Sequence, residues 1–156
     1  GGVALQAKTG HAFFKEVMRA HDAIYGGEIS SHHYFRDFAY CDSGMIPCFL
    51  MLEIISNSKQ SLSKLIEDRI KKFPSSGEKN FYIKNPDAAI ARVLDYYKDG
   101  AKIDKTDGIS FSFQNWRFNV RKSNTEDLVR LNIESRGSTE LVEKKLTDIS
   151  QLIMAN

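Results

Sequence analysis

Cysteine is scarce in this chain, charge of one sign hardly exceeds the other, and no hydrophobic run is long. The two thiols, Cys41 and Cys48, are spaced C-x6-C with no second pair. That is neither a disulfide framework nor zinc-site spacing, so it favours a reducing, cytoplasmic setting with both cysteines as ordinary buried thiols. Lys+Arg number 22 and Asp+Glu 20, a formal net charge of +2. So small an excess of mixed charges gives no warrant for a nucleic-acid partner. The longest near-apolar run, Met45 to Leu52, contains Pro47 and falls far short of the roughly 20 residues a membrane helix needs, so no membrane span is expected. A Walker glycine loop, a zinc-protease helix and a serine-hydrolase elbow are also missing.

What remains is the composition of a globular protein, with 42% hydrophobic and 27% charged residues in a length of 156. That suits one ordinary domain or two small ones, with a core that needs no staples. Val3 to Ala7 reads as a short strand, Thr9 as the cap of a helix carrying Phe13, Phe14, Val17 and Met18, and Ala23 to Tyr25 as a second strand ended by Gly26-Gly27. This βαβ-like unit predicts a parallel pair. A polar, aromatic loop (Glu28 to Tyr40) leads to a helix capped by Asp42 or Ser43, and Leu62, Leu65, Ile66 and Ile70 mark another helix. Residues 74–80 read as a linker. Beyond them come a helix start at Asn85-Pro86-Asp87, three alternating strands centred on Phe111, Phe118 and Leu131, and a closing helix through Leu146 and Ile153. The expected fold class is therefore a truncated α/β partial domain of βαβ type over residues 1–73, then an α+β domain with an antiparallel sheet packed on helices over 81–156. One parallel pair cannot cover the apolar helices of the first half. Either a partner supplies the rest or the domain is truncated, and uncovered faces of this kind favour self-association.

Two loops carry side chains suited to a ligand. In Gly26-Gly27-Glu28-Ile29-Ser30-Ser31-His32-His33, the residues Glu28, Ser30 and His32 alternate, so an extended loop would aim a carboxylate, a hydroxyl and an imidazole to one side. Those groups suit the vicinal hydroxyls of a sugar, at the strand end where α/β sheets bind ligands. The plainer reading is a glycine turn followed by a polar surface loop. In Arg121-Lys122-Ser123-Asn124-Thr125-Glu126, a guanidinium fork, two hydroxyls and an amide suit phosphate. The plainer reading is a polar hairpin turn. Asp104 to Gly108 could pass for a carboxylate metal loop but has the form of a glycine-terminated turn. Strand parity places Trp116 and Phe118 with Val120 on the core face and Arg117, Asn119 and Arg121 on the other, which argues against a base-stacking sheet.

Both loops, in this order and together with Lys8-Thr9-Gly10-His11, resemble the α-D-phosphohexomutase family. The family's sugar-recognition loop, Gly-Glu-x-Ser-x-His, is matched by Gly27 to His32, and its phosphate loop, Arg-x-Ser-Asn-Thr, by Arg121 to Thr125. The run from Tyr25 to Pro47 is most similar to the bacterial phosphomannomutase branch. Ser31 and Asp127 depart slightly, standing where Gly or Ala and Pro are commoner. The resemblance covers the whole chain. It implies the end of the family's third domain over 1–73 and its fourth domain over 81–156.

The resemblance further implies a cytoplasmic isomerase that interconverts mannose 6-phosphate and mannose 1-phosphate by a phosphoserine relay, through a hexose bisphosphate, with Mg²⁺. A mutase acting on both glucose and mannose phosphates, and a non-catalytic phosphosugar-binding module, are the alternative readings. By the resemblance, Glu28 and Ser30 hold sugar hydroxyls, His32 and His11 contact the phosphosugar, and Arg121, Ser123, Asn124 and Thr125 clamp the non-reacting phosphate. The family's Thr-Ala-Ser-His-Asn-Pro nucleophile loop and Asp-Gly-Asp-x-Asp-Arg metal loop do not occur in these 156 residues. The implied partners are a hexose phosphate and the missing N-terminal domains. The chain alone is expected to be inactive, with no catalytic residue and no metal ligand of its own.

Overall fold

The computed structural model describes residues 1–28, 30–123 and 126–155. It divides into two compact units, residues 1–64 and 65–156, with the division falling inside a helix.

The first unit is a helix laid on a small antiparallel meander. Helix α1 (His11–Ala20) is followed by β1 (Tyr25–Gly27), β2 (His33–Phe35) and β3 (Cys41–Asp42), in sheet order β1-β2-β3. Pairing runs Tyr25 to Phe35 and Gly27 to His33, then Tyr34 to Asp42. The parallel pair that the sequence suggests is not formed among the described residues: positions 3–7 carry no strand, and Val3 is 89% exposed. A parallel ladder is stable only with both faces covered, and among the described residues the other helix that lies wholly in this unit, at Met45–Ser58, buries none of its side chains. Helix α1 instead packs on the meander through Phe14 and Met18. A Cβ at Gly26 would stand 2.8 Å from the Met18 sulfur and 3.3 Å from the Phe14 ring, so the helix rests on bare backbone there. Phe14 stacks on the fully buried Tyr34 at 5.3 Å.

Helix α2 (Met45–Ser58) follows, its first turn fixed by the Ser43 hydroxyl accepting from the Ile46 N–H at 3.3 Å. Pro47 sits in that turn, where N–H groups lack intrahelical partners. No residue of α2 is buried, although Met45, Phe49, Leu50, Met51, Leu52 and Ile54 are all large and apolar. The expectation of two buried thiols fails for the same reason: Cys48 lies on this uncovered helix and is exposed, while Cys41 is half-buried in β3. Helix α3 (Leu62–Lys72) carries the chain across the division between the units.

The second unit is a five-stranded antiparallel sheet with two helices on one face. Strand β4 (Lys79–Tyr82), helix α4 (Pro86–Tyr97), strands β5 (Lys102–Asp104), β6 (Ile109–Ser112), β7 (Trp116–Lys122) and β8 (Leu128–Ser135) and helix α5 (Thr139–Met154) follow in turn. The sheet order is β4-β8-β7-β6-β5. Asn85 and Ser138 cap α4 and α5, their side chains accepting from the Ala88 and Leu141 N–H groups. Pro74 O accepts from Ser135 N at 3.0 Å and Ser75 bridges to Glu134, so residues 74–82 run along the sheet as its edge. Ala89, Val93, Tyr97, Val142, Ile149 and Ile153 of the helices bury against Phe111, Phe118, Val120, Val129, Leu131 and Ile133 of the sheet. Trp116 and Phe118 lie on this face, as parity requires, with Phe111 and Phe118 stacked at 4.5 Å. The opposite face is polar. Arg117 faces Glu134, Asn119 faces Asn132 and Arg121 faces Arg130 across β7 and β8. Among the described residues no helix is long and apolar enough to cross a membrane.

Candidate functional site

The Gly27–His32 loop is the turn between β1 and β2. It is not extended. Ser31 N donates to Glu28 O at 3.0 Å, Glu28 N donates to His32 O at 2.9 Å, and Ser31 takes a positive φ of 67°. The turn replaces simple alternation as the reason Glu28 and His32 come together. Each is then fixed by a residue further along the hairpin. The Tyr34 hydroxyl donates to Glu28 Oε1. His32 Nδ1 lies 2.8 Å from Asp42 Oδ2, and the other carboxylate oxygen of Asp42 accepts from His33 N at 3.0 Å. Ser30 is exposed at the tip, and Ile29 lies outside the described residues.

His11, the first residue of α1, completes the group. Its ring meets His32 edge-on at 4.5 Å and Tyr34 at 5.3 Å. The seating of α1 on Gly26 is what delivers it there. His11, His32 and Asp42 each offer a donor atom, all within 4.8 Å of one another. Burial, with Glu28 adding to it, pushes the Tyr34 phenol well above its ordinary value, so it stays protonated and donates to the Glu28 carboxylate. The His32 hydrogen bond, and after it the His33 N–H, hold the Asp42 carboxyl below its ordinary 3.8. A carboxyl whose value is depressed by folding contributes stability that is fully present above 3.8 and lost as pH falls through the lower folded value. In chelator-treated buffer, carboxyl NMR should therefore show Asp42 titrating below the ordinary aspartate range, and His32→Ala should raise its midpoint. An unchanged midpoint in that variant would show that His32 does not hold the charge.

In the second unit, Arg121 lies inside β7 rather than after it, on the polar face. Its Nη2 donates to Glu78 Oε2 at 3.0 Å and its Nη1 lies 3.7 Å from Asp107 Oδ2. Arg130, directly opposite on β8, reaches Glu78 Oε1 at 3.4 Å. Like charges opposed across a ladder repel. Here one carboxylate bridges both guanidiniums and offsets that repulsion. Ser123 is buried, its N–H donating to Leu128 O at 3.0 Å. Asn124 and Thr125, the remaining phosphate-loop candidates, lie outside the described residues. Gly108, in the β5–β6 turn beside this strand, has a φ of +65°, and a Cβ there would stand 2.5 Å from Val120 O and from Arg121 Cβ.

The structure thus brings together His11, Glu28 and His32 in the first unit, and places Arg121 and Ser123 at the end of β7 in the second. Sequence reasoning missed Tyr34, Asp42, Glu78 and Arg130. A hairpin reading of Tyr25 to Asp42 carries the signal for the first two, because the β2–β3 register pairs Tyr34 with Asp42.

Comparison with known proteins bears on what these groups serve. Residues 1–73 match the family model described as phosphoglucomutase/phosphomannomutase, alpha/beta/alpha domain III, and residues 78–151 match the phosphoglucomutase/phosphomannomutase C-terminal domain. The chain is 56% identical over 154 residues to a phosphomannomutase of Salmonella montevideo, an alignment covering 98% of this chain and 34% of that protein. Phosphohexose mutases of Xanthomonas campestris pv. campestris (strain B100) are 54% identical and a phosphomannomutase of Escherichia coli K12 is 52% identical, each with the same 98% and 34% coverage. A crystal structure of a phosphoglucomutase/phosphomannomutase family protein from Burkholderia thailandensis has the same fold, with a TM-score of 0.70 at 23% identity over 97% of this chain and 33% of that one. The chain belongs to the phosphoglucomutase/phosphomannomutase family, the α-D-phosphohexomutases. It spans about one third of the length of the curated relatives it matches.

Proposed function

We propose that this chain supplies the substrate-handling surfaces of a phosphomannomutase, an isomerase that interconverts mannose 6-phosphate and mannose 1-phosphate by a phosphoserine relay. The observation that carries the reading is that Glu28 and His32, the outer groups of the Gly-Glu-x-Ser-x-His loop, are each held by a fixed partner, Tyr34 and Asp42. Phosphoryl transfer needs little covalent chemistry from a protein and depends on positioning and charge stabilisation. Side chains locked in place before the substrate arrives suit that task. Glu28 accepts from sugar hydroxyls and Ser30 hydrogen-bonds beside it. His32 and His11 present imidazoles to the phosphosugar, and Asp42 sets the orientation of His32. Arg121 and Ser123, with Asn124 and Thr125, take the phosphate that does not react.

The transfer step itself is assigned to residues other than these 156, because neither a nucleophile loop nor an aspartate loop of the family's form occurs among them. Mg²⁺ is not placed here either. It demands an octahedron of oxygens, and the His11–His32–Asp42 group offers two imidazole nitrogens and one carboxylate. The uncovered apolar face of α2 belongs against the rest of the same protein, and in its absence favours self-association.

Amide NMR titrations of the chain test the reading. Mannose 6-phosphate should shift the amides of residues 27–33 and of 121–127, inorganic phosphate the second stretch alone, and no mannose 1-phosphate should form. If mannose 6-phosphate moved neither stretch, or if chloride at equal concentration moved both as far, the reading would be wrong.

A further inference from the structure

We propose that His11, His32 and Asp42 form a binding site for a transition-metal dication of the zinc type, and that this ion and the phosphosugar exclude one another. The metal site rests on the geometry of the cluster, and the exclusion rests in addition on the functional reading above.

The three donors come from three elements: the first turn of α1, the β1–β2 turn and β3. Their ligating atoms already lie within 4.8 Å of one another. Zinc bonds of about 2.0–2.2 Å to nitrogen and oxygen set donor separations of roughly 3–3.5 Å, a small side-chain rotation away. The group is restrained before any ion arrives. Asp42 is anchored by the His33 N–H at 3.0 Å, and the His11 ring is wedged against Tyr34 at 5.3 Å. It is also open to solvent, with the His32 and Asp42 side chains 40% and 28% exposed and His11 more so. Asp42 has two ways to serve. It can bind the ion directly, or it can hold Nδ1 of His32 while Nε2 faces the metal, the arrangement that orients most metal-bound histidines.

The donor set selects the ion. Two imidazoles and one carboxylate suit zinc, cobalt, nickel and copper, whereas Mg²⁺ prefers oxygen throughout. Three protein donors leave coordination positions for water. With Nδ1 of His32 on Asp42 and Nε2 on the ion, that ring has no nitrogen left for a phosphosugar, which is why the two ligands compete.

Cobalt supplies the probe, because its visible absorption reports both binding and donor type. Titrating the chain with Co²⁺, and with Zn²⁺ by calorimetry, should give one ion per chain that excess Mg²⁺ does not displace. His11→Ala and His32→Ala should each weaken binding at least tenfold. His11 is exposed and takes no part in capping α1, so its alanine variant keeps the fold, which circular dichroism checks. Undiminished binding in His11→Ala, displacement by Mg²⁺, or a sulfur-to-cobalt band that disappears in Cys41→Ser would overturn the site. In the competition arm, saturating Zn²⁺ should reduce mannose 6-phosphate affinity at least tenfold. Equal affinity with and without zinc would overturn the exclusion and leave the site standing. If the metal-free chain bound no phosphosugar at all, the functional reading would fail, and the cobalt titration would still decide the site.

Discussion

On the proposed reading, Arg121→Ala should weaken mannose 6-phosphate binding about 10- to 100-fold and leave the second unit folded. The guanidinium is a fork matched to phosphate oxygens, and a charge-assisted contact of that kind is worth about 1.5–3 kcal/mol. Nothing in the core depends on it, because the residue alternates with buried Val120 and points to the polar face. Its removal also relieves an opposed pair of arginines and leaves Glu78 to Arg130 at 3.4 Å. Arg121 is half-buried and its partners Glu78 and Asp107 are themselves part-exposed, so the stability change should stay small, about 0.5–1 kcal/mol. Arg121→Lys should recover part of the affinity and no more, since an ammonium cannot reproduce the fork. Calorimetric titration and urea unfolding of the same preparations separate the two effects. Loss of folding with unchanged affinity per folded molecule would make Arg121 a structural residue.

Gly108→Ala should cost about 2–4 kcal/mol, the left-handed backbone contributing about 1–2 kcal/mol and overpacking a similar amount. The added Cβ would meet backbone, the Val120 carbonyl at 2.5 Å, which cannot swing aside as a flexible side chain does. Gly137→Ala is the matched control. Its φ is +75° but no atom lies within 4 Å of a Cβ there, so it should cost only the backbone part, about 1–2 kcal/mol. Equal costs for the two variants would show that the close approach beside Arg121 is not what requires glycine at 108.

The second unit is the more legible half of the sequence. Phe111, Trp116, Phe118, Val120, Val129, Leu131 and Ile133 alternate strictly with polar residues, and a period of two survives folding because each strand buries one face. Strands β4 and β5 escape such reading. They are four and three residues long, and β4 begins inside a stretch whose Pro, Ser and Gly resemble a linker. In the first unit, the same alternation at Val3 to Ala7 means nothing without a ladder to join. Of the site, Glu28, His32 and Arg121 are visible as chemistry set in turn or strand. Tyr34 and Asp42 read as an aromatic and a helix cap until the hairpin register puts them behind the loop.

Glu78 gives the arginine pair a resident counterion, one oxygen to each guanidinium. On the proposed reading, an incoming phosphate would therefore exchange with an anion instead of filling an empty field. A singly charged competitor such as chloride or a carboxylic acid merely swaps one negative charge for another and draws little advantage from the pair. A phosphate monoester, close to doubly charged above its second pKa near 6, brings extra charge to the exchange. On that reading selectivity by valence would follow, set by a side chain that need never touch the ligand.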